Sequence, residues 1–221
     1  QKSQSHKMSK IFIIAGGPSL RGFNFKSLRG HDCIAVNKSL FDVPRAKYFV
    51  TIDHSFLGKT HSRKFLQKSE ACKFFVANYA SGQLIDDNGR IMCTKTRKPY
   101  NLAAFDVIIR SRAYGGLGET WNDFRNGDCS GYCALQLAVL LGYTEIYLMG
   151  VDLAIDGNTT HYHEGYGQRA GRLKRDLARY YGFFVKGIAA ANKIGVKMFS
   201  CSSISRLNDL IPFIQPAKAL R

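Results

Sequence analysis

The sequence predicts an α/β fold: a single Rossmann-like domain over residues 8–221, with a mainly parallel, twisted sheet flanked by helices. Three observations carry this reading. Short runs of β-branched and aromatic residues alternate with helix-like runs from end to end. The first run, "KIFIIAGGPSL", stops at two glycines, a proline and a serine, as a buried strand does at a tight turn. Towards the carboxyl terminus, strand, helix, strand, helix and strand patterns follow one another as in a crossover unit.

Strands are expected at residues 11–15, 33–36, 48–52, 73–76, 107–109, 145–149 and 197–199. Their apolar runs are nearly continuous, which suits strands covered on both faces. A helix is expected over 131–141, capped by Ser130 and stopped by Gly142. A second is expected over 172–193, with a stripe at Leu173, Leu177, Tyr180, Tyr181, Phe184, Ile188 and Ala191. Within 81–100, "DDNGR" lies between two short apolar runs and reads as a hairpin insertion. Residues 156–171, "DGNTTHYHEGYGQRAG", are polar and glycine-rich without periodicity, the character of a lid loop. Met8 reads as the natural start, with residues 1–7 an added remnant.

Composition bounds the function. The 221 residues are 45% hydrophobic, enough for a substantial core. The longest apolar runs, "ALQLAVLLGY" and "FDVIIR", fall short of the roughly 20 residues that span a bilayer, so no transmembrane segment is expected. The start lacks the apolar centre of a secretory signal. Six cysteines show no Cys-x-x-Cys pair, and Cys129 and Cys133 lack partners at zinc spacing. Free thiols in a reducing cytoplasm follow, with the protein either free or peripheral at an anionic surface. The net charge of +16 divides into +12 over residues 1–120 and +4 over 121–221. Such a surplus favours an anionic partner: nucleic acid, lipopolysaccharide or a membrane surface. No helix-turn-helix, zinc-finger or RNA-recognition signature and no aromatic-interleaved basic repeat accompanies it.

Candidate site residues gather where strands end. The turn Gly16, Gly17, Pro18 and Ser19 could bring backbone amides to a phosphate, or could simply be a tight turn. Asn37 and Asp53 follow the second and third strands, and polar residues there face the ligand crevice of open α/β sheets or merely terminate strands. Ser130 and Gly131 open an apolar helix whose amides attract anions, and the next strand runs into Gly150 and Asp152. His161 and His163 flank Tyr162 and could act as a base, hold a metal or do neither. Arg169, Arg172, Lys174, Arg175 and Arg179 form either a solvated face or a grip on an anionic acceptor. Cations at a helix start oppose its dipole, so helix stability does not account for them.

The stretch "SGYCALQLAVLLGYTEIYLMGVD" resembles the bacterial sialyltransferases of glycosyltransferase family 42, and "IIAGGPSL" is similar to their amino-terminal turn, which has one more residue between the glycines. Asn37 matches the asparagine with which that family holds its cytidine nucleotide, and His161 and Tyr162 match its His-Tyr pair. The family's base falls at Gly165 or Tyr166 here, leaving His163 nearest, and Ala154 and Ile155 stand where it has donor-binding tyrosines.

The resemblance implies inverting transfer from a nucleotide sugar, CMP-linked, and the surplus of positive charge adds an anionic acceptor such as a glycan, lipopolysaccharide or DNA. Gly16, Gly17, Pro18, Ser19, Asn37, Asp53, Ser130, Gly131, Gly150, Asp152 and Tyr162 would hold the donor. His161 or His163 would be the base, and Arg169, Arg172, Lys174 and Arg175 would hold the acceptor. No tightly bound cofactor and no metal ligands are assigned; a need for divalent metal and the oligomeric state stay open. The same motifs also look like the MptE-like group, which includes pterin diphosphokinases and motility accessory factors and has an Asp after the third strand, as Asp53 is here. A diphosphokinase is therefore the alternative, with a non-catalytic basic nucleic-acid-binding module as a third reading.

Overall fold

The strand β1 (Lys10–Ile14) is the centre of the molecule because every residue from Ile11 to Ile14 is apolar and fully buried. In the computed structural model, which describes residues 9–79, 82–88, 90–93, 99–111, 114–163 and 170–221, β1 pairs on both sides. Its neighbours are β2 (Cys33–Val36) and, much later in the chain, β9 (Glu145–Met149). On one flank lie β3 (Tyr48–Thr51), β4 (Cys72–Asn78) and β8 (Val107–Ser111); on the other lies β10 (Lys197–Ser200). The order β10-β9-β1-β2-β3-β4-β8 makes a seven-stranded sheet in which every pairing is parallel.

Alternate β1 residues feed two cores. Ile11 and Ile13 pack with α3 (Ser130–Leu140) and α4 (Ala170–Lys193), while Phe12 and Ile14 pack on the opposite face. Helix α3 is apolar almost all round because it is covered on both sides; the residues from Ser130 to Ala138 are buried. Its one long polar side chain, Gln136, is satisfied by the loop above it: Oε1 accepts from Gly118 N at 2.6 Å and Nε2 donates to Gly118 O at 3.0 Å. Helix α4 shows the expected stripe, with Phe184, Ile188 and Ala191 buried, and begins two residues earlier than the periodicity suggests.

Other departures are local. The helix α1 (His54–Leu57) and α2 (Thr60–Lys68) connect β3 to β4, and a short α5 (Pro216–Ala219) ends the chain. The expected hairpin is a three-stranded antiparallel sheet of β5 (Gln83–Ile85), β6 (Arg90–Cys93) and β7 (Pro99–Asn101). A third strand covers β6 on its second side. Ser130 is not the cap of α3 but its first residue; Cys129 occupies the cap position. The Ser130 hydroxyl instead accepts from Ile52 N at 3.2 Å and ties the helix to the end of β3. Gly142 stops α3 as expected, with φ at +83°.

Candidate functional site

A cleft of about 440 Å³ lies over the carboxyl ends of β1, β2, β3 and β9. It sits where the sheet order reverses, since β1 leads to β2 on one side while β9 flanks it on the other. Gly16, Gly17, Asn37, Asp53, Ser130, Gly131, Gly150, Asp152 and His161 all line it, so eight separate strand-end and loop predictions converge on one rim with a histidine above them. Among the described residues, four non-glycine residues have φ in the left-handed region, and three of them, Asn37, Asp128 and Leu153, line this cleft. Such conformations persist where the surrounding structure over-determines them, and they concentrate at functional sites.

The glycine turn is held from behind. Gly17 N donates to Gly150 O at 2.8 Å, Ser19 N donates to Asp152 Oδ2 at 2.8 Å, and the Ser19 hydroxyl donates to Asp152 Oδ1 at 2.7 Å. These amides, expected at a phosphate, face the neighbouring strand end instead, and neither Pro18 nor Ser19 lines the cleft. Asp152 is 1% exposed and acts as the anchor of the turn. A Cβ on Gly17 would lie 2.4 Å from Asp152 Oδ2 and 2.5 Å from Gly150 O, so the second glycine is required by this close approach.

The turn after β2 is fixed in the same way. Buried Ser39 accepts from Val36 N at 2.8 Å and donates to Ile14 O at 2.6 Å, which locks Asn37 into its φ of +54°. Thr51 Oγ1 donates to Asn37 Oδ1 at 2.7 Å and accepts from Asp53 N at 3.0 Å, linking the ends of β2 and β3. Asp53 caps α1, accepting from Ser55 N at 2.8 Å. Asp128 is engaged as well: Asn78 Nδ2 donates to it at 2.6 Å and Arg179 Nη2 lies 2.7 Å away. The cap of α3 makes no side-chain hydrogen bond, so its first turn, Ser130 and Gly131, meets the cleft directly.

Two lysines that sequence reasoning passed over also line the cleft, Lys38 and Lys59. Burial, and then the charge of Lys59, hold the Lys38 ammonium below the ordinary lysine range. The signal was faint, since Lys38 is only the residue after Asn37 and Lys59 lies in the loop before α2. They bring two positive charges to a rim that also carries Asp53, Asp128 and Asp152; Asp128 faces Arg179, and Asp152 is turned onto Ser19.

His161 and His163 separate clearly. His161 lines the cleft, and Thr160 Oγ1 lies 3.0 Å from its Nδ1. Burial, then the charges of Lys38 and His163, lower its pKa to about 4, so the imidazole is neutral at pH 7. His163 lies outside the lining, with Nε2 3.0 Å from Asp42 Oδ2 and its pKa lowered by burial, against the pull of Asp42. Tyr162, expected at a donor phosphate, turns the same way. Its hydroxyl donates to Asp42 Oδ2 at 3.1 Å, its ring packs 4.0 Å from His163 and 5.4 Å from Phe25, and its amide donates to Gly16 O at 3.1 Å. The aromatic neighbours draw the ring away from the cleft, and the backbone bond to Gly16 pins His161 above the glycine turn.

Solved structures that share this architecture include sialyltransferases. The monofunctional α-2,3-sialyltransferase Cst-I from Campylobacter jejuni superposes with a TM-score of 0.54 at 18% identity, covering 93% of this chain and 80% of that one. CstII from Campylobacter jejuni in complex with cytidine-5'-monophosphate gives 0.50 at 17% identity, covering 93% and 85%. CST-II in complex with a trisaccharide acceptor and CMP gives 0.50 at 17%, covering 95% and 88%. The fold is sialyltransferase-like. No protein-family model matches the chain, and no curated protein matches it by sequence.

Within this sialyltransferase-like fold, Lys174 and Arg175 do not line the cleft. Lys174 and Arg175 are exposed near the start of α4. Arg169 and positions 164–169 of the expected lid lie outside the described residues, as does the side chain of Arg172. Leu177 and Tyr180 bring α4 to the cleft wall, and burial raises the Tyr180 hydroxyl well above the ordinary tyrosine range.

Proposed function

We propose that this protein is a nucleotide-sugar-dependent glycosyltransferase of the sialyltransferase type, transferring with inversion from a CMP-linked donor. The observation that carries the reading is His161: a neutral imidazole held over the glycine turn, beside Asn37, Lys38 and the first turn of α3. An acceptor hydroxyl would attack the anomeric carbon from the face opposite the nucleotide. The new carbon–oxygen bond forms, the bond to the leaving phosphate breaks, and the phosphate keeps the electron pair. His161 takes the acceptor proton, its imidazole being unprotonated at neutral pH and so open to receive it. Lys38, Lys59 and the α3 amides oppose the charge developing on the phosphate, and Asn37 and Asp53 bound the nucleoside side. The exposed Lys174 and Arg175 are available to an anionic acceptor.

Titration calorimetry with CMP, UDP, GDP and ATP tests the reading. CMP should bind the wild type, and Asn37→Gly, which tolerates the φ of +54° there, should weaken it about 10-fold or more while circular dichroism is unchanged. If ATP binds and no cytidine nucleotide does, the diphosphokinase alternative replaces this one. If no nucleotide binds, the transferase reading fails.

A further inference from the structure

A second groove, of about 710 Å³, lies on the far side of the segment that carries His161. Three stretches distant in sequence form it: the turn from Phe23 to Arg29, the turn from Phe41 to Ala46, and the end of α2 with the residues just after it. Each contributes both an aromatic ring and a cation. Phe23 and Phe25 come with Lys26 and Arg29, Phe41 with Arg45, and Phe65 with Lys68. The rings are half-buried and group in pairs, Phe23 with Phe25 at 5.2 Å and Phe41 with Phe65 at 4.6 Å. All four cations are exposed, and the ion pairs among the described residues leave each without a carboxylate partner. Two acidic residues, Asp42 and Glu70, also line the groove, and Asp42 is engaged by Tyr162 and His163.

We propose that this groove binds a single-stranded nucleic acid. Four unpartnered cations along one channel suit a chain of phosphates, and rings interleaved with them suit bases, each of which has a face to stack. A duplex would keep its bases stacked on one another and could not use the rings. The groove and the cleft share a wall. Thr160 and His161 face the cleft, whereas Tyr162 and His163 pack on Phe25, Asp42 and Phe41 of the groove. A strand lying in the groove therefore runs behind the wall that carries the proposed base; its use as the acceptor of the transfer rests on the function proposed above, and its binding does not.

The test is fluorescence anisotropy of a labelled twelve-residue oligothymidylate with the full chain, without any donor. Single-strand binding through four phosphates should weaken about 50-fold between 50 and 200 mM salt, from a slope of roughly 0.7 per phosphate. Lys26→Ala, Arg29→Ala, Arg45→Asn and Lys68→Ala together should abolish most of that affinity and flatten the salt dependence. Asn is chosen at 45 because that residue sits at a φ of +53°. CMP binding by the same variant should be unchanged. The proposal is overturned if the oligonucleotide fails to bind at 50 mM salt, if the fourfold variant binds as the wild type does, or if an abasic or duplex dodecamer binds as tightly. Oligonucleotide binding without any nucleotide binding would refute the transferase reading and leave the groove standing.

Discussion

Acid should destabilise this protein through His161 in a way that a single substitution removes. In the folded state the His161 pKa is about 4, against 6.5 for an unperturbed histidine, because burial and the charges of Lys38 and His163 disfavour the imidazolium. Between these values the unfolded chain binds more protons than the folded one. Stability from this group is therefore complete above about pH 6.5 and is lost as pH falls towards 4. Integrating the linkage from pH 7 to pH 4 gives a loss of about 3 kcal/mol at roughly 1.4 kcal/mol per pH unit. Urea unfolding at pH 7, 5.5 and 4 measures it, with His161→Gln as the comparison. The wild type should lose about 3 kcal/mol more than the variant over that range, whatever the carboxylates contribute to both. Parallel profiles for the two proteins would refute the buried, neutral state of His161. The same state sets the catalytic expectation: with the transfer reaction in hand, the acid limb of kcat/KM should fall near pH 4, and an acid limb near 6.5 would contradict it.

Asp152→Ala removes two charge-assisted hydrogen bonds at a site that is 1% exposed, so it should cost about 3 kcal/mol and lower Tm by roughly 6–12 °C in calorimetry; an unchanged Tm would show that the turn does not need its anchor. Gly17→Ala should also lower Tm by several degrees, because its Cβ meets a backbone oxygen as well as Asp152, whereas Gly182→Ala on α4, where a Cβ meets open space, should leave Tm unchanged or raise it. Lys38→Met and Lys59→Met should each weaken CMP binding about 10-fold in calorimetry with little change in stability, and wild-type affinity in both variants would place the donor phosphate elsewhere.

The chain pattern alone determines the seven strands of the main sheet, their parallel arrangement and the long amphipathic α4, because short apolar runs and a helical stripe are properties of neighbouring residues. It also marks the strand-end positions Gly16, Asn37, Asp53 and Gly150, since polar or glycine residues that stop a strand of a parallel sheet come out at one rim. Which group meets which is decided by strand order and side-chain direction, and these have no local signature. Only the placement of β9 beside β1 brings Asp152 onto Ser19 and turns the amides of the glycine turn inward. Only the packing of Tyr162 against Phe25 and Asp42 sends His163 outward and leaves His161 over the cleft. Lys38 with Lys59, and the rings and cations of the second groove, are likewise unremarkable where they stand in the chain. They become binding surfaces because parallel strands and their crossovers return distant segments to the same edge, where charges add in space rather than along the sequence.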